Sequence, residues 1–432
     1  MPDTTSLLDA ALGIGHGLCA DALWWDGRCT FTTDDVDELS AVWRVVHKTC
    51  GGDLYTGTSG IALFLARLAA MTGDAVIART ARGAMRHALA DAAAPEMSSA
   101  LFVGRLGIAW AAAMTGQWLA DDDLVAQARD LALSCAGSGG LSGWDLMAGF
   151  AGGIVGALAL ARLLGEPALT GWAVELGDAL LDAARQEDSG WHWPTSKETI
   201  GLCGLSHGAA GIAWALAELA ATTGQPRFAL AAARAIAHEQ HWFDPVVGNW
   251  PDLSPESLAP DGTRSFSMSW CHGAPGIALS RLRLWQLADV PSLRRQANAA
   301  VEATQAKLRQ DLARGTGNFS LCHGLAGDAE ALICAAPLLD PGLLDTAMQV
   351  AADGIDRYGA SGRAWPAGIG GGATTSPTLM LGLAGTGYFL LRLQDQGGTP
   401  SVLLPGAFAA GPCPPEPVVA EAFAPRAAAA AG

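Results

Sequence analysis

Five side chains that can bind a metal or move a proton stand in register along this chain: His207, Cys271, His272, Cys322 and His323. Each lies one or two positions ahead of the first glycine of a Gly-x-x-Gly pair, in Leu205-Ser206-His207-Gly208, Trp270-Cys271-His272-Gly273 and Leu321-Cys322-His323-Gly324. The 51-position spacing of the two cysteines is unlike the short ligand spacing of a zinc finger, and a lone cysteine is usually a small buried hydrophobe. Register carries the argument instead. If each glycine pair starts an equivalent helix, Cys271 and Cys322 present thiolates side by side, with His323 adjacent to supply nitrogen. Two Cys and one His form the donor set that selects Zn²⁺ and leaves a fourth position open for water or substrate.

His207 is the equivalent residue one repeat earlier. A histidine on an apolar face is as often a satisfied core residue as a functional one, so its place in the same register is what distinguishes it. Asp145, between Trp144 and Leu146, is a carboxylate in an apolar run, which is costly unless paired. Its natural partner is a histidine across the ring. The other cysteines, Cys19, Cys29, Cys50, Cys135, Cys203, Cys334 and Cys413, fall outside the register and read as structural or incidental.

The glycine pair recurs seven times, with first glycines at Gly57, Gly104, Gly149, Gly208, Gly273, Gly324 and Gly382, within the range of tandem helical units. After each pair comes an apolar stretch such as Ile212-Ala213-Trp214-Ala215-Leu216, apolar on nearly all sides and so internal. Between these lie amphipathic stretches at Asp123 to Cys135, Leu169 to Arg185, Pro226 to His238, Ser292 to Leu312 and Pro341 to Asp356. Asp340-Pro341 marks the start of the last of them, an acceptor side chain followed by proline. His16 is expected on a first outer helix. The pattern predicts an all-α protein, an α/α toroid of seven inner and seven outer helices. Glycine suits the turns because it allows positive φ and close backbone approach. One toroid domain is expected over residues 1–397, followed by a Pro/Ala-rich, disordered tail over 398–432. Glu239 to Trp270 and Ala360 to Ser376 break the rhythm as long loops, which are often functional.

A formal charge of −16 and the absence of a Lys/Arg run argue against nucleic acid as a partner. The apolar run Leu146 to Ala161 is studded with glycine and fits an inner helix better than a membrane span. No basic region precedes an apolar stretch at the start, and nine scattered cysteines fit reduced thiols, so a cytoplasmic enzyme is expected.

Ser269-Trp270-Cys271-His272-Gly273-Ala274-Pro275-Gly276, Leu321-Cys322-His323-Gly324, Gly204-Leu205-Ser206-His207-Gly208 and Trp144-Asp145-Leu146 resemble the lanthionine synthetase C family, over about Leu7 to Leu393. The resemblance implies a toroid with a central zinc and a cyclase that adds peptide cysteine thiols to dehydroalanine or dehydrobutyrine, giving (methyl)lanthionine thioethers. It assigns Cys271, Cys322 and His323 as zinc ligands and His207 and Asp145 as catalytic residues. His272 stands where some members have tyrosine, and Ser267 where some have arginine. His272 is thus a second candidate for the acid that protonates the enolate. The spelling around Cys271 is closer to the cyclase halves of bifunctional synthetases. No kinase or lyase region precedes it, so the expected partners are a dehydrated precursor peptide and a separate dehydratase. The alternatives are a glutathione-adducting member, a non-catalytic scaffold for precursor or dehydratase, and a prenyltransferase-like toroid, which the split Cys/Cys/His set fits poorly.

Overall fold

The computed structural model describes residues 4–37, 44–137, 140–194, 200–359, 363–369, 375–407 and 415–424. Seven helices follow the seven glycine pairs: α2 (Thr58–Thr72), α4 (Arg105–Leu119), α6 (Phe150–Leu164), α8 (Ala209–Thr223), α10 (Ala274–Ala288), α12 (Leu325–Ala335) and α14 (Leu383–Gln394). Each packs on the next, and α14 packs back on α2, so the inner ring is closed. Outside them run α3 (Ala75–Asp91), α5 (Asp122–Cys135), α7 (Pro167–Ala183), α9 (Pro226–Trp242), α11 (Pro291–Arg314) and α13 (Leu343–Gly354). Each pairs with the inner helix before it, while α1 (Thr4–Asp21), which carries His16, takes the outer place beside α14. This is the α/α toroid expected from the repeats.

Burial follows the sequence pattern. In α8 every residue from Ala209 to Ala220 is buried, whereas α3 buries Ile77, Thr80, Ala81, Ala84, Met85 and Ala88, one stripe of an amphipathic helix. Asp74 caps α3 by accepting from the Val76 and Ile77 amides, and Asp121 caps α5 through the Leu124 amide. Asp340 does not cap a helix directly: α13 starts at Leu343, and the Asp340 carboxylate accepts from Gly342 in a preceding turn.

The recurring glycines serve close approach more than positive φ. The first glycine of six pairs is extended, and only Gly273 lies in the left-handed region, at φ +88°. At Gly107, a Cβ would stand 1.9 Å from the Leu101 carbonyl and 2.9 Å from Leu54 Cβ of the previous repeat, which leaves no room for any side chain.

Three antiparallel hairpins decorate the helices: β1 (Leu23–Trp25) with β2 (Arg28–Thr30), β3 (Thr32–Asp37) with β4 (Arg44–Thr49), and β5 (Arg185–Glu187) with β6 (Gly190–His192). The tail after Gly397 departs from expectation. Val402, Leu403 and Leu404 are buried, Tyr388 donates to the Pro400 carbonyl, and Arg392 Nη1 donates to the Thr399 carbonyl. Further on, α15 (Pro417–Phe423) packs on α9, α10 and α8. Composition misled here because the few apolar residues in the tail are those that bury. Residues 408–414 and 425–432 lie outside the described residues, as do 360–362 and 370–374 of the second long loop. No described helix is long and apolar enough to cross a membrane.

Candidate metal centre and acid–base pair

The residues two or three positions ahead of the first glycines form a belt of main-chain hydrogen bonds around the ring. Tyr55 N–H donates to Phe102 O (2.9 Å), Phe102 N–H to Met147 O (3.3 Å), Leu146 N–H to Ser206 O (3.0 Å) and Ser206 N–H to Cys271 O (3.3 Å). Beyond the cysteines, Cys322 N–H donates to Met380 O (3.0 Å) and Met380 N–H to Tyr55 O (3.1 Å). Among the described residues no main-chain bond joins Cys271 to Cys322. Their thiols meet at that joint instead.

The neighbouring Cys322 thiol holds the Cys271 pKa down at about 5, against the burial that raises it, with help from His272, Ser269 and His323. Cys322 is pushed the other way by its coupling to Cys271 and by burial, so the two thiols titrate as a pair. Ser269 Oγ lies 3.2 Å from Cys271 Sγ. Tyr55 reaches the same spot from the first repeat: its hydroxyl lies beside Cys322, and burial pushes the phenol well above its ordinary range.

His323 Nε2 lies 2.7 Å from the Gly368 carbonyl. A carbonyl only accepts, so Nε2 carries the hydrogen and Nδ1 is the basic nitrogen of the neutral ring. A second-shell carbonyl on the distal nitrogen is the usual arrangement for a metal-binding histidine. Two sulfurs and this nitrogen have the chemistry of a zinc donor set. They are neighbours but not yet a cage: among the described residues no three His, Cys, Asp or Glu side chains converge as a bound metal would require.

Beside the sulfurs, His207 Nδ1 lies 2.7 Å from Asp145 Oδ2. Asp145 Oδ1 accepts from the Ala148 and Gly149 amides (both 2.9 Å) at the N-terminus of α6, which fixes the carboxylate. The paired carboxylate makes Nδ1 the donor and Nε2 the basic nitrogen of His207. The His207 and His272 rings are 5.7 Å apart.

The turn that carries His207 is clamped from behind by Glu239 of α9. Its Oε1 accepts from Gly204 (2.8 Å) and Ala210 (3.0 Å), one on each side of the turn, and its Oε2 pairs with Arg281 of α10. Both ionic side chains are fully buried. On the cysteine side, Gly273 is obligatory: a Cβ there would stand 1.8 Å from the Ser267 carbonyl, and its φ is positive. The structure thus brings together Cys271 with Cys322, His207 with Asp145, and His207 with His272, and leaves His323 alongside. Tyr55 stands two positions ahead of Gly57, in the same register as the two cysteines. Glu239 carried no signal beyond being an acid in an alanine-rich helix.

Two solved structures align with most of the chain, and the first shares its architecture. Nisin cyclase superposes with a TM-score of 0.61 at 17% identity, over 80% of this chain and 89% of that one. A GH76 α-mannanase from Bacteroides thetaiotaomicron gives a TM-score of 0.49 at 10% identity, over 91% of this chain and 96% of that one. In sequence, residues 49–404 match the family model described as lanthionine synthetase C-like protein, and the chain therefore belongs to the lanthionine synthetase C-like family.

Proposed function

We propose that this chain is a zinc-dependent lanthionine or methyllanthionine cyclase. It would join cysteine thiols to dehydroalanine or dehydrobutyrine within a ribosomally made peptide supplied by a separate dehydratase. The observation that carries this reading is the meeting of the Cys271 and Cys322 thiols beside an Asp145-oriented His207. Cys271, Cys322 and Nδ1 of His323 would hold the zinc, and its chemistry there is to keep a peptide cysteine as thiolate at neutral pH, where a free thiol is mostly protonated.

The chain's own side chains account for the proton. In the neutral ring, Nε2 of His207 is basic and Nδ1–H is held by Asp145, so His207 takes the proton of the incoming thiol and Asp145 stabilises the resulting imidazolium. The sulfur bonds to the β-carbon of the dehydroamino acid, its π electrons move toward the α-carbon as an enolate, and His207 returns the proton to that carbon. Nothing leaves, so mass is conserved. Tyr55 and Ser269 place hydroxyls beside the two protein sulfurs.

Incubating the zinc-loaded protein with a dehydrated, cysteine-containing precursor, then alkylating thiols and weighing the product, tests this directly. A cyclase yields peptide of unchanged mass whose cysteines resist alkylation. Full alkylation after prolonged incubation would remove the cyclase reading and leave a peptide-binding scaffold.

A further inference from the structure

Between the C-terminal end of α9, the loop that follows it and the first turns of α11 lies a cavity of about 330 Å³. Its walls include Gln240, Phe243, Trp250, Ser292, Arg295 and Gln296. In a protein with 42 acidic residues against 26 basic ones, no carboxylate lines it among the described residues. Arg295 is exposed there and has no ion-pair partner among the described residues. Trp250 is 1% exposed, and its indole N–H has no acceptor among the described residues. Behind the wall, Arg281 gives its Nε to Gln296 (2.8 Å) and lies 5.9 Å from the Trp250 ring, with its Nη1 also unpartnered.

The opening has an apolar floor, where Phe243 packs on Trp250 at 4.7 Å. An unpaired guanidinium at the mouth, a lining without a carboxylate among the described residues and the aromatic surface beside it match one chemistry: a carboxylate flanked by apolar groups. We propose that this cavity binds an acidic side chain of a peptide, with neighbouring apolar residues against Phe243 and Trp250. That the peptide is the one being cyclised rests on the proposed function; the binding chemistry does not. The wall also leads to the candidate acid–base pair, through Gln296, Arg281 and Glu239 to the Gly204 and Ala210 amides that flank His207.

The test is calorimetric titration of the full chain with acetyl-Leu-Glu-Leu-amide and acetyl-Leu-Gln-Leu-amide, with tryptophan fluorescence as a second readout. The glutamate peptide should bind saturably, and the glutamine peptide at least about tenfold more weakly, as expected for losing a charged hydrogen bond. Arg295→Gln, an exposed change that leaves the core intact, should weaken the glutamate peptide about tenfold, and Trp250→Phe should weaken it less. Absence of saturable binding at millimolar peptide, equal affinity for the two peptides, or an unaffected Arg295→Gln would each overturn the site. So would acetate binding as tightly as the glutamate peptide, because the apolar wall would then contribute nothing. If Trp250→Phe does not fold, Arg295→Gln alone decides. These arms need no turnover, so a failed cyclisation assay leaves them standing. Where cyclisation is seen, Arg295→Gln should raise KM for an acidic precursor and hold kcat.

Discussion

Six joints of the inner ring are closed by main-chain hydrogen bonds between neighbouring turns, and the seventh, between Cys271 and Cys322, is closed by side chains alone. The turns are otherwise built alike, with the same leucine or tryptophan ahead and the same close-packed second glycine behind. The difference teaches where a repeat protein can place chemistry. A backbone-bonded joint has spent its polar groups on its neighbour, whereas the joint that forgoes that bond has room for two sulfurs and whatever they hold. Gly273, the one first glycine with positive φ, marks the same departure, since its turn takes a different path from the other six.

The most severe way to break this comparison is to remove the sulfurs. Cys271→Ala and Cys322→Ala should each abolish stoichiometric zinc and reduce cyclisation to background, while Met147→Ala, the equivalent position at a closed joint, should change neither. Elemental analysis and the alkylation assay measure both. If the cysteine variants stay folded and keep a full equivalent of zinc, the open joint is not a metal site.

The tail sharpens the comparison through stability. Trp270, directly before Cys271, donates its indole N–H to the Leu403 carbonyl (3.4 Å), so the segment after α14 braces the open joint from inside. Ending the chain at Gly397 removes the burial of Val402, Leu403 and Leu404. At about 1.5–3 kcal/mol for each buried side chain, the loss should be roughly 5 kcal/mol in urea unfolding. Cys271 in the shortened protein should also react faster with a thiol reagent. A truncated chain of wild-type stability would show that the packed tail contributes nothing.

Acid should loosen the closed side of the site. His238 is stacked on His192 at 4.9 Å and lies 2.9 Å from the Gly201 carbonyl, just ahead of the His207 turn. Burial lowers its pKa to about 4 in the folded protein. The unfolded chain, with an ordinary histidine pKa near 6.5, binds more protons between those values, so stability falls as pH drops from about 6.5 to about 4. The loss approaches about 3 kcal/mol by pH 4. In His238→Gln that part of the pH dependence should vanish, as followed by urea midpoints at pH 7, 5.5 and 4. An equally steep decline in the variant would place the acid sensitivity elsewhere.

The seven turns, their inner and outer helices and the register of the cysteines were legible because each repeat restates one local pattern. Three kinds of feature were not. The hairpins, such as β1 with β2, are short and interrupt no helical period. The burial of Val402 to Leu404 depends on a bore that exists only once the ring has closed. Contacts such as Tyr55 with Cys322, or Glu239 with Arg281, join residues from different repeats, and spacing within one repeat does not encode them.

The smallest expected effect separates the two histidines. His207 is oriented: Asp145 fixes its tautomer, and the Ala148 and Gly149 amides fix Asp145. His272 is held through its backbone, whose N–H donates to Ser269 Oγ (3.2 Å), and its imidazole makes no side-chain hydrogen bond among the described residues. An acid–base group works best when a partner holds its ring and its tautomer. His207→Asn should therefore keep its zinc and slow cyclisation about a hundredfold, the order expected for losing positioned proton transfer. His272→Asn should also keep zinc and lose less than about tenfold, because the ring shapes the pocket and adds positive potential beside Cys271. The reverse ranking, a slow His272→Asn and a His207→Asn at the wild-type rate, would make His272 the proton donor. The Asp145 pair would then be a strut at a closed joint.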